Sequence, residues 1–270
     1  MKLIHDPDEG VMRVACFVSG SGTNARKIIE RSLQEGSSYE VVLVFSDVRD
    51  SRFRRDGEKM CKAKDIAEDY GISYACRDIR DFYSAKGVKR SDLSVRPEFD
   101  EQVVEAIRPY GVDLIANAGY MSIMTAPILE EYRGRIVNVH PADLRIMEGG
   151  ERKYTGIHVV EEAILAGEDE LRSTTHIVRR KVDYGEILLI SEPVRVELPE
   201  GISLEELEED NDLLISVVDE HQNKLKRKGD WVIYPLTIQM IGEGRFALDG
   251  KGKVWLDGEL LSSRYVLGSN

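Results

Sequence analysis

The pentapeptide Ile136-Val137-Asn138-Val139-His140 sets an amide and an imidazole two residues apart, just ahead of Pro141. Side chains of a strand alternate between its faces, so Asn138 and His140 point one way and Val137 and Val139 pack the other. Two such groups at a strand's carboxyl end stand where open α/β sheets bind ligands. The same pattern also describes a polar strand end whose histidine bonds a loop. A second stretch, Ser19-Gly20-Ser21-Gly22-Thr23-Asn24, lies between an apolar run at 13–18 and a helical pattern through Ile28, Ile29 and Leu33. Strand, glycine-rich turn and helix aim backbone N–H groups at an anion, usually phosphate. The order is neither G-x-G-x-x-G nor a Walker sequence, and a tight turn without a ligand reads alike. Asp183, in Val182-Asp183-Tyr184-Gly185, reads by itself as a turn residue.

These residues need a frame. Apolar runs at 13–18, 41–45, 72–75, 112–118 and 136–140 predict strands. Helical patterns separate them: one after Asn24, one over 58–70, one from Pro97 to about Arg108, and a short one after Pro127. Strand-helix-strand repeats predict an α/β fold with a mostly parallel twisted sheet and helices on both faces. Two further strands, 173–178 and 187–194, flank the turn holding Asp183 in the C-terminal half. Residues 77–96 carry Arg77, Arg80, Lys86, Lys89, Arg90 and Arg96 with little periodicity, and read as a basic surface loop, solvated or holding an anion. Residues 141–154 read as a loop. Ser203 and Glu206 make a capping box for a helix bearing Leu207, Leu214, Val217, Val218 and Leu225. A last helix over 231–241 precedes one or two hairpins at 245–261, with Asp-Gly turn signals.

The 270 residues, 42% hydrophobic and 32% charged, suit a globular chain with a sizeable core. The reading is an extension over 1–12, one domain over 13–261 with halves 13–110 and 111–261, and a tail over 262–270. A formal charge of -12 argues against a nucleic-acid partner, which needs a basic surface. The three cysteines are odd in number and lack metal-ligand spacing, so no metal is expected and the thiols read as reduced. No apolar run approaches the ~18 residues of a membrane helix, and the polar start has no signal-peptide core. A cytoplasmic protein is expected.

Eight pieces then fall in a familiar order: V-S-G-S-G-T-N (18–24), V-F-S-D (44–47), A-G-Y-M (118–121), N-V-H-P (138–141), Y-T-G-I-H (154–158), V-D-Y-G-E-I-L-L (182–189), V-I-Y-P-L (232–236) and V-W-L-D-G (254–258). Across 13–261 the chain resembles the folate-dependent formyltransferases. The resemblance implies a Rossmann-like formyltransferase fold with antiparallel strands in the C-terminal half. It implies a catalytic trio of Asn138, His140 and Asp183, and a phosphate cradle of Ser19, Gly20, Ser21, Gly22, Thr23 and Asn24. Substrate and folate contacts are implied at Arg96, Gly119, Tyr120, Met121, Ser122, Ile123, Met124, Val182 and Asp230. The implied donor is 10-formyltetrahydrofolate and the implied acceptor is the primary amine of glycinamide ribonucleotide, in de novo purine biosynthesis. The chain would be a monomer or homodimer, without membrane or nucleic-acid partners.

In the implied chemistry a neutral amine attacks the formyl carbon. Asn138 and a protonated His140 donate to the oxyanion, while Asp183 favours the imidazolium and helps move protons. The chain departs from the family at four places. Ser122 stands where an arginine commonly reaches the folate's glutamate tail. Asp230 stands where a glutamate is usual. The loop after His140 is longer and more charged than H-P-S-L-L-P, and a second lengthening falls at 221–229. These departures motivate two alternatives: an N-formyltransferase for a different small amine (an amino sugar or other phosphorylated amine), or a catalytically silent nucleotide- or folate-binding homologue. Formyltetrahydrofolate hydrolysis is set aside, because no regulatory domain is expected ahead of the first strand.

Overall fold

Short apolar runs form the strands, and capped amphipathic runs form the helices. The computed structural model describes residues 1–261, so the tail assigned to 262–270 lies outside the described residues. The chain begins with β1 (Lys2–Leu3), β2 (Met12–Phe17), α1 (Thr23–Ser32), β3 (Tyr39–Ser46), α2 (Ala63–Tyr70), β4 (Ser73–Cys76) and α3 (Ile79–Lys86). It continues through α4 (Arg96–Ile107), β5 (Leu114–Asn117), α5 (Ala126–Glu131), β6 (Ile136–His140), β7 (Met147–Glu148) and β8 (Glu151–Arg152). Next come α6 (Val159–Leu165), β9 (Glu170–Leu171), β10 (Thr174–Ile177), β11 (Ile187–Ile190), β12 (Val194–Arg195), α7 (Leu204–Glu209) and α8 (Asn211–Leu225). It closes with α9 (Trp231–Gly242), β13 (Phe246–Leu248), β14 (Val254–Leu256) and β15 (Glu259–Leu260).

Seven strands form one sheet in the order β11-β10-β6-β5-β2-β3-β4. The run from β6 to β4 is parallel, and β10 and β11 are antiparallel, as expected for the C-terminal half. The two-residue period of β2 splits its side chains between two cores. Val14 and Cys16 pack with Ile28 of α1, Ile66 of α2 and Ile238 of α9. Ala15 and Phe17 face Tyr83 of α3, Phe99 and Val103 of α4 and Ile128 of α5. Both faces of the sheet are therefore covered, as parallel sheets require. A smaller antiparallel sheet, β1-β13-β14-β15, forms from the C-terminal hairpins, with Lys2 and Leu3 pairing Leu248 and Ala247.

Several local expectations are corrected. The region 77–96 is not a loop throughout, because α3 forms within it. Asp78 accepts the Asp81 N–H at its start, Gly87 ends it in the left-handed conformation, and Ile79 and Tyr83, four apart, are buried. The surrounding charges mask that one apolar face. The helix read at 58–70 starts only at Ala63, since Phe53 and Lys59 bridge each other upstream. The capping box at Ser203 is present, but its helix stops at Asp210, whose carboxylate accepts the Leu213 N–H and starts α8. The loop after His140 contains the hairpin β7–β8. The lengthened segment 221–229 is helical, passing from α8 through a π-helical turn (Lys226–Asp230) into α9.

In the parallel part of the sheet, β2, β5 and β6 are neighbours and end on the same edge. The glycine-rich loop after β2, the segment after Asn117 and the end of β6 therefore meet there. β10 runs the other way, with Thr174 opposite His140 and Ile177 opposite Val137. The turn after β10 thus leaves near the start of β6 and must fold back across the sheet to bring Asp183 to His140.

Candidate active site

Asn138 and His140 leave β6 on one face, as the alternation requires, and both line a cavity of about 340 Å³. The returning segment 178–186 lies flat against β10: a Cβ on Gly185 would sit 1.6 Å from the Ile177 carbonyl oxygen, so only glycine fits. Asp183 itself adopts a positive φ of 56°, and its Oδ2 lies 3.6 Å from His140 Nδ1. The three residues singled out in the sequence are thus brought together by the fold.

The hairpin after His140 ties this turn in place. The Arg152 guanidinium donates to the carbonyls of Asp183 and Gly185, the latter at 3.1 Å, and stacks on the Tyr184 ring at 5.5 Å. The Tyr184 hydroxyl accepts the Arg152 N–H at 2.9 Å.

His140 is buried, and its Nε2 donates to the Tyr154 carbonyl at 3.0 Å. Burial pushes its pKa below the ordinary histidine value, outweighing the Asp183 carboxylate, which favours the imidazolium. Burial thus favours the neutral form of the ring. Its Nδ1 faces Asp183 and is the ring atom left to take a proton. Burial alone would raise the Asp183 carboxyl. Hydrogen bonding to His176, the His140 ring and the Gly156 N–H (2.9 Å) together hold it below its usual range.

His176 is the member that sequence reasoning missed. It lies on β10 directly opposite Asn138 and is buried. Its Nδ1 donates to the Ile177 carbonyl at 3.0 Å, which turns Nε2 toward Asn138 Nδ2 (3.4 Å) and Asp183 Oδ1 (3.5 Å). The one available signal was its two-residue spacing from Thr174, which puts both on one face of the strand.

Gly22 opens α1 with a left-handed φ of 64°, and the helix has no side-chain cap and no acidic residue in its first turn. Its first N–H groups are thus left for an anion. A Cβ at Gly22 would sit 2.4 Å from Ile66 Cδ1, which explains the glycine. Of the loop, only Asn24 lines the cavity; Ser19 instead acts as a brace. Its hydroxyl donates to Asp47 Oδ1 at 2.5 Å and accepts the Met121 N–H at 2.9 Å. The Ser122 hydroxyl donates to the other oxygen of Asp47. Burial pushes the Asp47 carboxyl up, and these two serines pull it partly back. Asp230 is buried across from the loop, accepting from Ser173 Oγ (2.6 Å) and Asn24 Nδ2 (3.4 Å). Burial raises its carboxyl, against those hydrogen bonds.

Gly119, Tyr120, Met121, Ser122, Ile123, Met124, Val182 and Asp230 all line the cavity. Tyr120 is a buried wall, packed edge-on to Phe17 at 5.2 Å. Four rim side chains leave large apolar surfaces open: Met121 (63% exposed), Ile123 (43%), Ile157 (70%) and Val182 (50%). Such a rim suits a flat apolar ligand. Arg96 is not brought to the cavity. It is buried over the Tyr83 ring, and its guanidinium donates to the Tyr83 hydroxyl and the Ile123 carbonyl. Arg179, Arg180 and Gln222 line the cavity and were not foreseen. Among the described residues, no group of three or more His, Cys, Asp or Glu side chains is placed to hold a metal, and no helix is long and apolar enough to cross a membrane.

A family model described as formyl transferase matches residues 12–209. The chain belongs to the formyl transferase family. This formyl transferase is 28% identical to phosphoribosylglycinamide formyltransferase of Haemophilus influenzae, over 92% of its own chain and 95% of the relative. It is 26% identical to the enzyme of the same name from Escherichia coli, over 93% and 96%. Among solved structures it is similar to glycinamide ribonucleotide transformylase 1 from Symbiobacterium toebii, with a TM-score of 0.63, 26% identity and coverage of 92% and 95%. The family match over 12–209 takes in the glycine-rich loop, the end of β6 and the Asp183 turn.

Proposed function

We propose that this chain transfers a formyl group from 10-formyltetrahydrofolate to the primary amine of glycinamide ribonucleotide, a step of de novo purine biosynthesis. One observation carries the reading: Asn138, His140 and Asp183 converge in an apolar-rimmed cleft beside an uncapped, glycine-opened helix. The helix start receives the substrate phosphate, and Asp230 and Asn24 face the amine end. Asn138 donates to the oxyanion that forms on the formyl oxygen. The neutral His140 takes a proton from the attacking amine and becomes the cation beside that oxyanion; as the oxyanion collapses, the bond from the formyl carbon to the donor's N10 breaks, and the imidazolium returns the proton to that departing tetrahydrofolate nitrogen. Asp183 stabilises the cation and holds the ring's orientation. The likeness over nearly the full length of the named relatives supports the same acceptor.

The deciding assay mixes purified protein, glycinamide ribonucleotide and 10-formyltetrahydrofolate and follows folate absorbance. Turnover is expected. Turnover only with a different amine, such as an amino sugar, would reassign the acceptor, and no turnover with any amine would leave a silent binding protein.

Arg152 gives a second test. Lysine at this position keeps the charge but loses the fork that grips two carbonyls. Arg152→Lys is expected to lower kcat by up to about 10²-fold, the scale of a misplaced catalytic group, with little change in KM for either substrate. Wild-type kcat would show that the hairpin does not position Asp183.

A further inference from the structure

β5 ends on Asn117, whose amide is poorly satisfied where it sits. The residue is 7% exposed and lines the cavity. Its Oδ1 is buried without a hydrogen-bond partner, and its Nδ2 reaches only the Met124 thioether, at 4.0 Å. Turning the amide over exchanges its two ends and still leaves one unpaired. Buried polar groups without partners are rare in folded proteins because they forfeit hydration and gain nothing in return. Where one persists inside a ligand cavity, a bound molecule is the natural partner.

The sheet register makes the placement more specific. Asn117 pairs with Asn138, and Asn138 pairs with His176. Directly paired residues share a sheet face, so the three side chains form a polar row across the cavity floor. Asn138 and His176 contact each other at 3.4 Å, which leaves Asn117 as the member without a strong partner. Next to it stand Met124 and the open apolar rim of Met121, Ile123 and Val182. The carboxylate and amide that face the ribonucleotide, Asp230 and Asn24, are bonded to each other elsewhere in the cavity.

We propose that Asn117 binds the formyl donor: its amide pairs with a heterocycle edge that sets an N–H beside a carbonyl or ring nitrogen. A primary amide offers one donor and one acceptor side by side, so it matches such an edge with two hydrogen bonds. A flat ring system carrying that edge also covers the apolar rim. This assignment rests on reading the cleft as the folate site, and it makes Asn117 a specificity residue for the donor.

The test compares wild type with Asn117→Leu and Asn117→Ser, titrating each with tetrahydrofolate by calorimetry and recording ligand-free Tm. Leucine removes the unpaired amide at similar volume, so the ligand-free Tm is expected to hold or rise, and serine cannot overfill the site. Both variants are expected to bind tetrahydrofolate at least about tenfold more weakly, one to two lost hydrogen bonds. KM for the formyl donor rises while KM for glycinamide ribonucleotide stays. A purely structural role predicts the reverse, a lower Tm with unchanged affinity. Tetrahydrofolate binding as tight as wild type in both variants overturns the proposal. A wild-type protein that binds no tetrahydrofolate overturns the folate reading of the cleft, and this assignment with it.

Discussion

His140→Ala is expected to lower kcat by about 10³-fold or more, since in the proposed reaction one side chain supplies both charge for the oxyanion and a proton acceptor. Losing an oxyanion partner typically costs about 10²–10³ in kcat, and losing a general base about 10²–10⁴. The two overlap in a single ring, so they do not multiply. KM for both substrates is expected to change little, because the proposed reading gives the phosphate to α1 and the donor to the apolar rim, neither of which involves the imidazole. The variant also empties a buried site and leaves the Tyr154 carbonyl without its donor. That costs about 1–3 kcal/mol, which a fold of ordinary stability survives. Steady-state kinetics with a parallel thermal melt separates the two losses. A folded His140→Ala protein with near wild-type kcat would remove His140 from the mechanism.

Asp183→Asn is the second large effect, with an expected fall in kcat of about 10²–10⁴, the range for acid–base assistance. Asparagine has nearly the same shape, and it tolerates the left-handed backbone that Asp183 adopts. The substitution therefore removes charge without disturbing the turn. The Asp183 carboxylate raises the His140 pKa, against the stronger effect of burial. Without it the imidazolium loses its partner, the His140 pKa falls further, and the ring becomes a weaker proton acceptor. The acid limb of kcat/KM, which reports the free enzyme, is expected to move to lower pH in the variant. A limb that moves to higher pH, or an unchanged kcat, would contradict this pairing.

Stability supplies an independent check on the same residue. The folded Asp183 pKa lies below its usual range. Its contribution is therefore fully present above the unfolded value of about 3.9, and is lost as pH falls through the lower folded value. The Tm difference between wild type and Asp183→Asn should be largest near neutrality and shrink below about pH 4.

The sequence determined those features that depend only on neighbouring residues. Alternation along a strand puts Asn138 and His140 on one face whatever the strand pairs with. Strand, glycine turn and helix likewise place the open end of α1 at 19–24, and the capping box starts α7 at Ser203. The repeating order of strands and helices was enough for the sheet's class. A short helix was less legible: two buried residues and two caps define α3, and neighbouring charges hide them.

Only the tertiary structure decided which distant side chains join that face. His176 and Asn117 enter the site because β10 and β5 flank β6 in a particular register. Register arises from packing and hydrogen bonding between segments far apart in the chain, and no local spacing encodes it. Asp183 reaches His140 because its turn folds back over β10, allowed by Gly185 and tied down by Arg152 from the hairpin. The same dependence on packing drew Arg96 away from the cavity and onto Tyr83, where its guanidinium is stacked and hydrogen-bonded.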